Sequence, residues 1–248
     1  MKRHQGHPRS PRLTARCAAL VTVALVSVPF RAAGAQAILI LIFGDKIASE
    51  WLQGGIKADV VWSTLAGTPD ADRRRSYGFG GFLELRVGQR FSIQPEFTFK
   101  SPAGAAGLPF TPTGRADVDA AFATASDVSV TRTLGYVTLP VLAKVTFGRF
   151  AISAGPQVGY VVKATDHYTG TVAREDDLTY DASLWSRVNR WDTGVSVLAE
   201  FSPSTKRGFQ TLRVRASWYR AFGDALDDAP GRNDTLGLGL GLPIGGPP

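Results

Sequence analysis

Histidine is scarce in this chain: His4, His7 and His167 are the only three. His4 and His7 fall in an N-terminal segment that reads as a leader, so His167 is the one proton-transfer group of its kind left, in Thr165-Asp166-His167-Tyr168. Nucleophilic catalysis needs a histidine beside an activated serine. Ser183 and Ser186 are the serines one would pair with it. Spacing within a loop holds nothing in place, so a solvated loop histidine is the better reading. Glu175-Asp176-Asp177 and the group Asp224, Asp227 and Asp228 offer oxygen ligands for a hard cation, but they lack the EF-hand spacing and read as solvated charge. The sequence has no P-loop, dinucleotide fingerprint or zinc spacing. No catalytic residue, metal site or cofactor is assigned.

The elements that would hold such groups are strands. From about residue 54 apolar and polar residues alternate with period two, the signature of a strand with one apolar face. Phe91–Lys100 is the clearest case: Phe91, Ile93, Pro95, Phe97 and Phe99 share one face, and Ser92, Gln94, Glu96, Thr98 and Lys100 share the other. Further segments are Gly54–Thr64, Tyr77–Gly88, Thr131–Gly148, Phe150–Lys163, Asn189–Phe201, Phe209–Phe222 and Asn233–Pro243. Each meets the roughly 9–11 residues a tilted strand needs to cross hydrocarbon. In the last segment Leu236, Leu238, Leu240 and Leu242 alternate with Gly237, Gly239 and Gly241, leaving room for large neighbours on the glycine side.

The connections alternate as well. Gln89-Arg90, Arg149 and Ser202–Gly208 are short links, whereas Leu65–Ser76, Ser101–Val130, Ala164–Val188 and Gly223–Arg232 are long. Short turns on one side and long loops on the other are what transmembrane barrels show. The Ala-, Gly- and Pro-rich stretch Ser101–Val130 is expected to be mobile.

The formal net charge of +7 suggests a phosphate-binding surface, but residues 1–35 carry Lys2, Arg3, Arg9, Arg12, Arg16 and Arg31 and no acid, which accounts for all but +1 of it. A nucleic-acid partner is therefore not expected. The same residues form a secretory signal: a basic start, the apolar core Ala18–Phe30, and the small residues Ala33-Gly34-Ala35 before a cleavage site. The lone Cys17 lies within it, leaving no thiol after cleavage. The expected organisation is a signal peptide (1–35), a periplasmic segment (36–53) whose apolar run Ala37–Phe43 has no assigned role, and a barrel (54–248). The fold class is all-β: an antiparallel transmembrane β-barrel of about eight strands, preceded by the cleaved signal peptide.

Such a barrel satisfies its backbone without open edges and points apolar residues at lipid. The outward set is expected to be Trp62, Phe79, Phe97, Phe99, Phe147, Phe150, Tyr160, Trp191, Phe201 and Trp218. The opposite face holds Lys57, Asp59, Glu84, Arg86, Glu96, Lys144, Asp192, Glu200, Arg213 and Arg215. These charges balance, and in a barrel just wide enough to be filled by side chains they would pair into a plug. A soluble sandwich or lipocalin-like barrel is the competing reading of the same alternation. The leader and the sorted loop lengths favour the membrane.

Gly135-Tyr136-Val137-Thr138-Leu139-Pro140-Val141-Leu142-Ala143-Lys144 resembles the Y-x-x-[IL]-P-x-L-x-K strand of the porin-family outer-membrane β-barrel domain. Phe150–Tyr160 looks like the strand that follows it, and Phe91–Phe99, with Gln94-Pro95-Glu96, is similar to the one before. The resemblance implies a small barrel of the OmpA/OmpX kind in the outer membrane, inserted by the barrel assembly machinery and monomeric. It departs at the C-terminus, where many such barrels end on an aromatic residue and this chain ends Gly245-Gly246-Pro247-Pro248. Outer-membrane lipids, including lipopolysaccharide, become expected partners, with Arg73-Arg74-Arg75 either contacting their phosphates or forming a solvated turn. The expected function is a non-enzymatic scaffold, adhesion or envelope-stabilising protein whose outer loops meet an unknown ligand. The alternatives are a narrow passive channel and, less favoured, a lipid-modifying enzyme using His167.

Overall fold

A computed structural model describes residues 51–173, 176–203 and 212–244. The expected signal peptide and nearly all of the expected periplasmic segment lie outside them. Among the described residues nine strands follow one another: β1 (Leu52–Ala66), β2 (Arg74–Arg86), β3 (Phe91–Leu108), β4 (Ser126–Phe147), β5 (Phe150–Ala173), β6 (Asp176–Ser183), β7 (Trp191–Phe201), β8 (Arg213–Ala221) and β9 (Arg232–Ile244). One helix, α1 (Ala116–Ala123), lies between β3 and β4.

All pairings are antiparallel, and eight strands close into a ring in the order β1-β2-β3-β4-β5-β7-β8-β9. The seam is the β1–β9 ladder, which runs without a shift from Gly54↔Ile244 to Ala66↔Arg232. β6 stands outside the ring and pairs only with the outer half of β5.

From Phe150 to Tyr160 β5 advances ten residues, about 25 Å at ~3.3 Å per residue and ~40° tilt, which matches the apolar height of an outer-membrane barrel. β4 and β5 are 22 and 24 residues long, so both continue well past that height. Beyond it β3, β4, β5 and β6 form a four-stranded sheet on the outer side.

That sheet corrects the expectation of a mobile Ser101–Val130 loop. β3 runs on to Leu108, α1 follows, and β4 starts at Ser126. Ala103 and Ala105 are buried small residues whose alternation carries little hydrophobic signal. At Gly104 (φ +98°) a Cβ would meet the Arg132 carbonyl oxygen at 2.1 Å, so β3 approaches β4 closely there. Asp117 and Asp119 in the first turn of α1 suit the positive end of its dipole. Its Phe122 packs on Phe110 and Tyr168, each at 5.8 Å between ring centroids.

These segments share one apolar core. Leu65, Leu108, Phe122, Val130, Leu134, Val161, Tyr168, Leu184, Val188 and Leu226 are all buried in it, drawn from all four outer connections and the strand ends beside them. Tyr136, which faces the lumen, is its inner boundary. The outer end of the barrel is therefore roofed by packed side chains.

Candidate functional site

The period-two pattern of each strand turns one set of side chains inward, and the ladder registers bring those sets to common heights. Glu84 accepts from Lys144 Nζ (3.1 Å), Arg213 Nη1 (2.8 Å) and Ser92 Oγ (3.2 Å). Lys144 also reaches Gln94 Oε1 (3.0 Å) and Glu200. Arg213 Nη2 donates to Gln53 Oε1 at 3.0 Å. One layer higher, Glu96 accepts from Lys57 Nζ (2.5 Å), Gln94 Nε2 (2.8 Å) and Arg215. Arg215 Nε and Glu200 Oε1, 3.7 Å apart, link the two layers. Arg86 Nε approaches Glu84 Oε1 at 3.9 Å. Side chains from β1, β2, β3, β4, β7 and β8 thus meet in one network, so these pairs tie strands far apart in sequence.

Two of the inward charges stand apart. Asp59 lies beside Gly239, whose missing side chain makes the space: a Cβ there would sit 2.2 Å from Asp59 Oδ1. Asp192 belongs to a separate group nearer the outer end. Asn233 Nδ2 donates both to its Oδ2 (3.1 Å) and to Tyr136 Oη (3.1 Å). Between the network and this group lies a cavity of about 70 Å³, lined among others by Lys57, Thr98, Gln157, Ser196, Arg215 and Tyr219. It has room for a few waters, and among the described residues the buried Arg215 Nη1 has no protein hydrogen-bond partner.

Phe82 was not expected in the lumen. It is buried there, with the guanidinium carbons of Arg213 and Arg215 at 5.4 and 5.6 Å from its ring centroid. Its parity with Glu84 and Arg86 on β2 is the signal that points inward. Arg132 and Asp166 were also missed. They form a buried two-pronged pair (2.8 and 2.7 Å) between β4 and β5 beneath the outer core.

On the outer wall Phe79, Phe147, Phe150, Tyr160, Trp191 and Trp218 are exposed, and Trp62, Phe97, Phe99 and Phe201 are half-buried. The half-burial has a local cause in neighbouring rings: Phe97 lies 4.5 Å from Phe99, and Phe201 5.0 Å from Phe150. Tyr160 packs edge-on against Trp191 at 5.0 Å. Tyr77 and Phe222 are exposed aromatics outside the expected set, and Phe91 is exposed on the face that its alternation with Ser92 and Gln94 assigns it.

His167 lies on β5, not in a loop, and its Nδ1 is 2.6 Å from Asp181 Oδ1 on β6. Ser183 stands opposite Thr165 instead, and Ser186 falls beyond the end of β6. Asp224 accepts from the Gly231 N–H (3.0 Å) and Asp228 from Arg187 Nε (2.6 Å), so both acids shape the last outer connection. The Arg187 guanidinium holds the Asp228 carboxyl below its usual range. Of the acidic run at 175–177, Glu175 lies outside the described residues and Asp176 and Asp177 begin β6. Among the described residues no three His, Cys, Asp or Glu side chains cluster as metal ligands. Of Arg73-Arg74-Arg75, Arg74 is half-buried at the start of β2 and the other two are exposed.

A closed ring of eight antiparallel strands with an apolar, aromatic-banded wall and a charged interior is a transmembrane β-barrel. The profile of the outer membrane protein beta-barrel domain family matches residues 68–227, and the chain belongs to that family; it is an outer-membrane protein. Among solved structures it is similar to Ail, the attachment invasion locus protein of Yersinia pestis (12% identity, TM-score 0.38, 79% of this chain and 100% of that one). It is also similar to Neisserial surface protein A (8%, TM-score 0.38, 77% and 96%) and to the N-terminal β-barrel domain of Pseudomonas aeruginosa OprF (8%, TM-score 0.29, 78% and 99%). Among curated proteins none matches the chain.

Proposed function

We propose that this protein is a closed, non-enzymatic anchor in the outer membrane that carries a rigid outer sheet as its interaction surface. The observation that carries the reading is the double closure of the lumen. The Glu84–Glu96–Lys144–Arg215 network fills its inner half, and the apolar core around Leu65, Leu134, Val161 and Leu226 covers its outer end. An ion crossing the barrel would have to break several buried pairs and then desolvate in the apolar layer. The inward ten charges act as structural filling and the outward aromatics as lipid anchors. The protein is a monomer that contacts outer-membrane lipids, lipopolysaccharide among them, after export through its leader (1–35) and insertion by the barrel assembly machinery.

Single-channel recording in a planar bilayer tests this, with folding checked by a heat-dependent gel shift. A folded, silent barrel is the expected result. Steady conductance that changes in Glu96→Gln or Arg213→Gln would replace the plug with a narrow channel.

A further inference from the structure

Short connections follow β2, β4 and β7 at the inner, periplasmic end of the barrel. Backbone hydrogen bonds stitch this end into one rim. The Arg86 N–H donates to the Trp51 carbonyl (2.7 Å), the Thr146 N–H to that of Arg90 (2.9 Å) and the Ser202 N–H to that of Arg149 (2.8 Å). The last two bonds each add a row to a ladder, below Phe91↔Val145 and below Phe150↔Phe201. Phe91 and Phe150 are exposed on the wall. Arg90 and Arg149, one residue out of phase with them, therefore fall on the lumen side of the rim. Both are exposed, and among the described residues neither has a hydrogen-bond or ion-pair partner.

The rim carries one sign of charge. Arg86, Arg90 and Arg149 stand at the mouth, with Lys144 and Arg213 in the lumen just behind them. Against these five cations stand two carboxylates, Glu84 and Glu200, an excess of three positive charges among the described residues. Both carboxylates are buried and engaged, Glu84 by Lys144 and Arg213 and Glu200 by Lys144. The sequence of the connection after β7 adds Lys206 and Arg207 and no acid. The outer connections differ: they set Asp70 and Asp72 beside Arg73 and Arg75, and Asp228 on Arg187. An opening lined by one sign of charge between low-dielectric walls focuses its field on the solvent in front of it.

We propose that the inner mouth is a second binding site, separate from the outer sheet, and that it takes an extended acidic peptide segment reaching it from the periplasm. Arg90 and Arg149 each hold a carboxylate by the two-pronged contact a guanidinium offers. Arg86, Lys144 and Arg213 supply the field behind them. The lumen phase turns these arginines away from lipid, where Phe91, Phe147 and Phe150 stand, so the partner arrives from water and not from the leaflet. The interior of an eight-stranded barrel is just wide enough for side chains, so its mouth admits a thin chain and excludes a folded domain.

The probe is a synthetic peptide of alternating glutamate and glycine, titrated against the full-length barrel in nanodiscs of zwitterionic lipid. The expected result is binding that weakens with salt and that a glutamine–glycine counterpart lacks. The double variant Arg90→Gln/Arg149→Gln should weaken it at least about tenfold, the worth of one charge-assisted hydrogen bond. Its heat-dependent gel shift should not change, because both side chains are exposed at turns. Arg73→Gln/Arg75→Gln, the same loss of charge at the outer end, should leave binding as it was. Equal binding of the glutamine peptide, equal losses from the inner and outer double variants, displacement by the same concentration of inorganic phosphate, or no binding at all overturns the proposal. Recording conductance from the same preparation keeps the two readings apart: a silent barrel that ignores the peptide refutes the mouth alone, and a conducting barrel that binds it refutes the closed anchor alone.

Discussion

Phe82 occupies the place a side chain at position 55 would fill: a Cβ on Gly55 would sit 2.2 Å from Phe82 Cζ. Gly55 and Phe82 face each other across the β1–β2 ladder, and the ring that takes this space also backs Arg213 and Arg215. Gly55→Ala should push Phe82 off its rotamer and destabilise the barrel by about 1–3 kcal/mol, as overpacking does. Urea unfolding in lipid vesicles measures it. The double variant Gly55→Ala/Phe82→Leu should recover part of the loss, and no recovery would mean the clash is not with Phe82.

Glu96 serves Lys57 and Arg215 at once. Glu96→Gln leaves the buried Lys57 without its carboxylate and Arg215 with Glu200 alone, at 3.7 Å, and removing one partner of a buried pair costs about 3–5 kcal/mol. Lys57→Met combined with Glu96→Gln should cost less than the sum of the two single changes. A double-mutant cycle on the same unfolding assay reads that difference, and additivity would show that the pair does not interact.

Phe122 holds α1 to the sheet through Phe110 and Tyr168. Phe122→Ala should cost about 3 kcal/mol or more of local stability, spent on the outer core and not on the ring. Limited proteolysis should then cut within residues 109–125, while the heat-dependent gel shift stays. Loss of the shift would mean that the roof and the barrel fold as one unit.

The Arg187–Asp228 pair joins the connection after β6 to the one after β8, next to the Asp227 N–H that donates to the Arg187 carbonyl at 2.8 Å. Because the folded carboxyl is held low, its contribution is complete above the unfolded value near 4 and is lost as the pH falls through the folded one. Hydrogen exchange at Asp227, corrected for intrinsic rate, should speed up below about pH 4 in the wild type. In Asp228→Asn it should be fast at every pH. A wild-type profile that stays flat to pH 3 would show the pair is idle.

Much of the ring is legible in the sequence alone. Phe91–Lys100, Phe150–Lys163 and Asn233–Pro243 alternate because one face meets lipid and the other a polar lumen, a contrast that single-residue hydropathy reports directly. The leucine–glycine strand reads correctly for a related reason: Leu236, Leu238 and Leu240 are exposed on the wall, and the glycines between them admit Asp59 and Arg215. Continuation of the strands past the membrane was not legible. On the outer part of β5, Ala164, Asp166, Tyr168 and Gly170 face the core, and the aspartate breaks the apolar pattern. Its charge is tolerated only because Arg132 on β4 meets it with both nitrogens.

By itself the sequence determined the period, the sorted connection lengths and therefore the class of protein, because each strand's alternation is a local record of two different solvents. Only the tertiary structure decided which inward charges share a partner. Glu84, Glu96 and Glu200 join one network while Asp192 turns to Asn233. Only it showed that the outer connections pack into one core and that β6 keeps an open edge. Those outcomes depend on registers and on contacts between segments as distant as Arg213 and Gln53, and a one-residue slip in any ladder would turn each of these side chains to the other solvent.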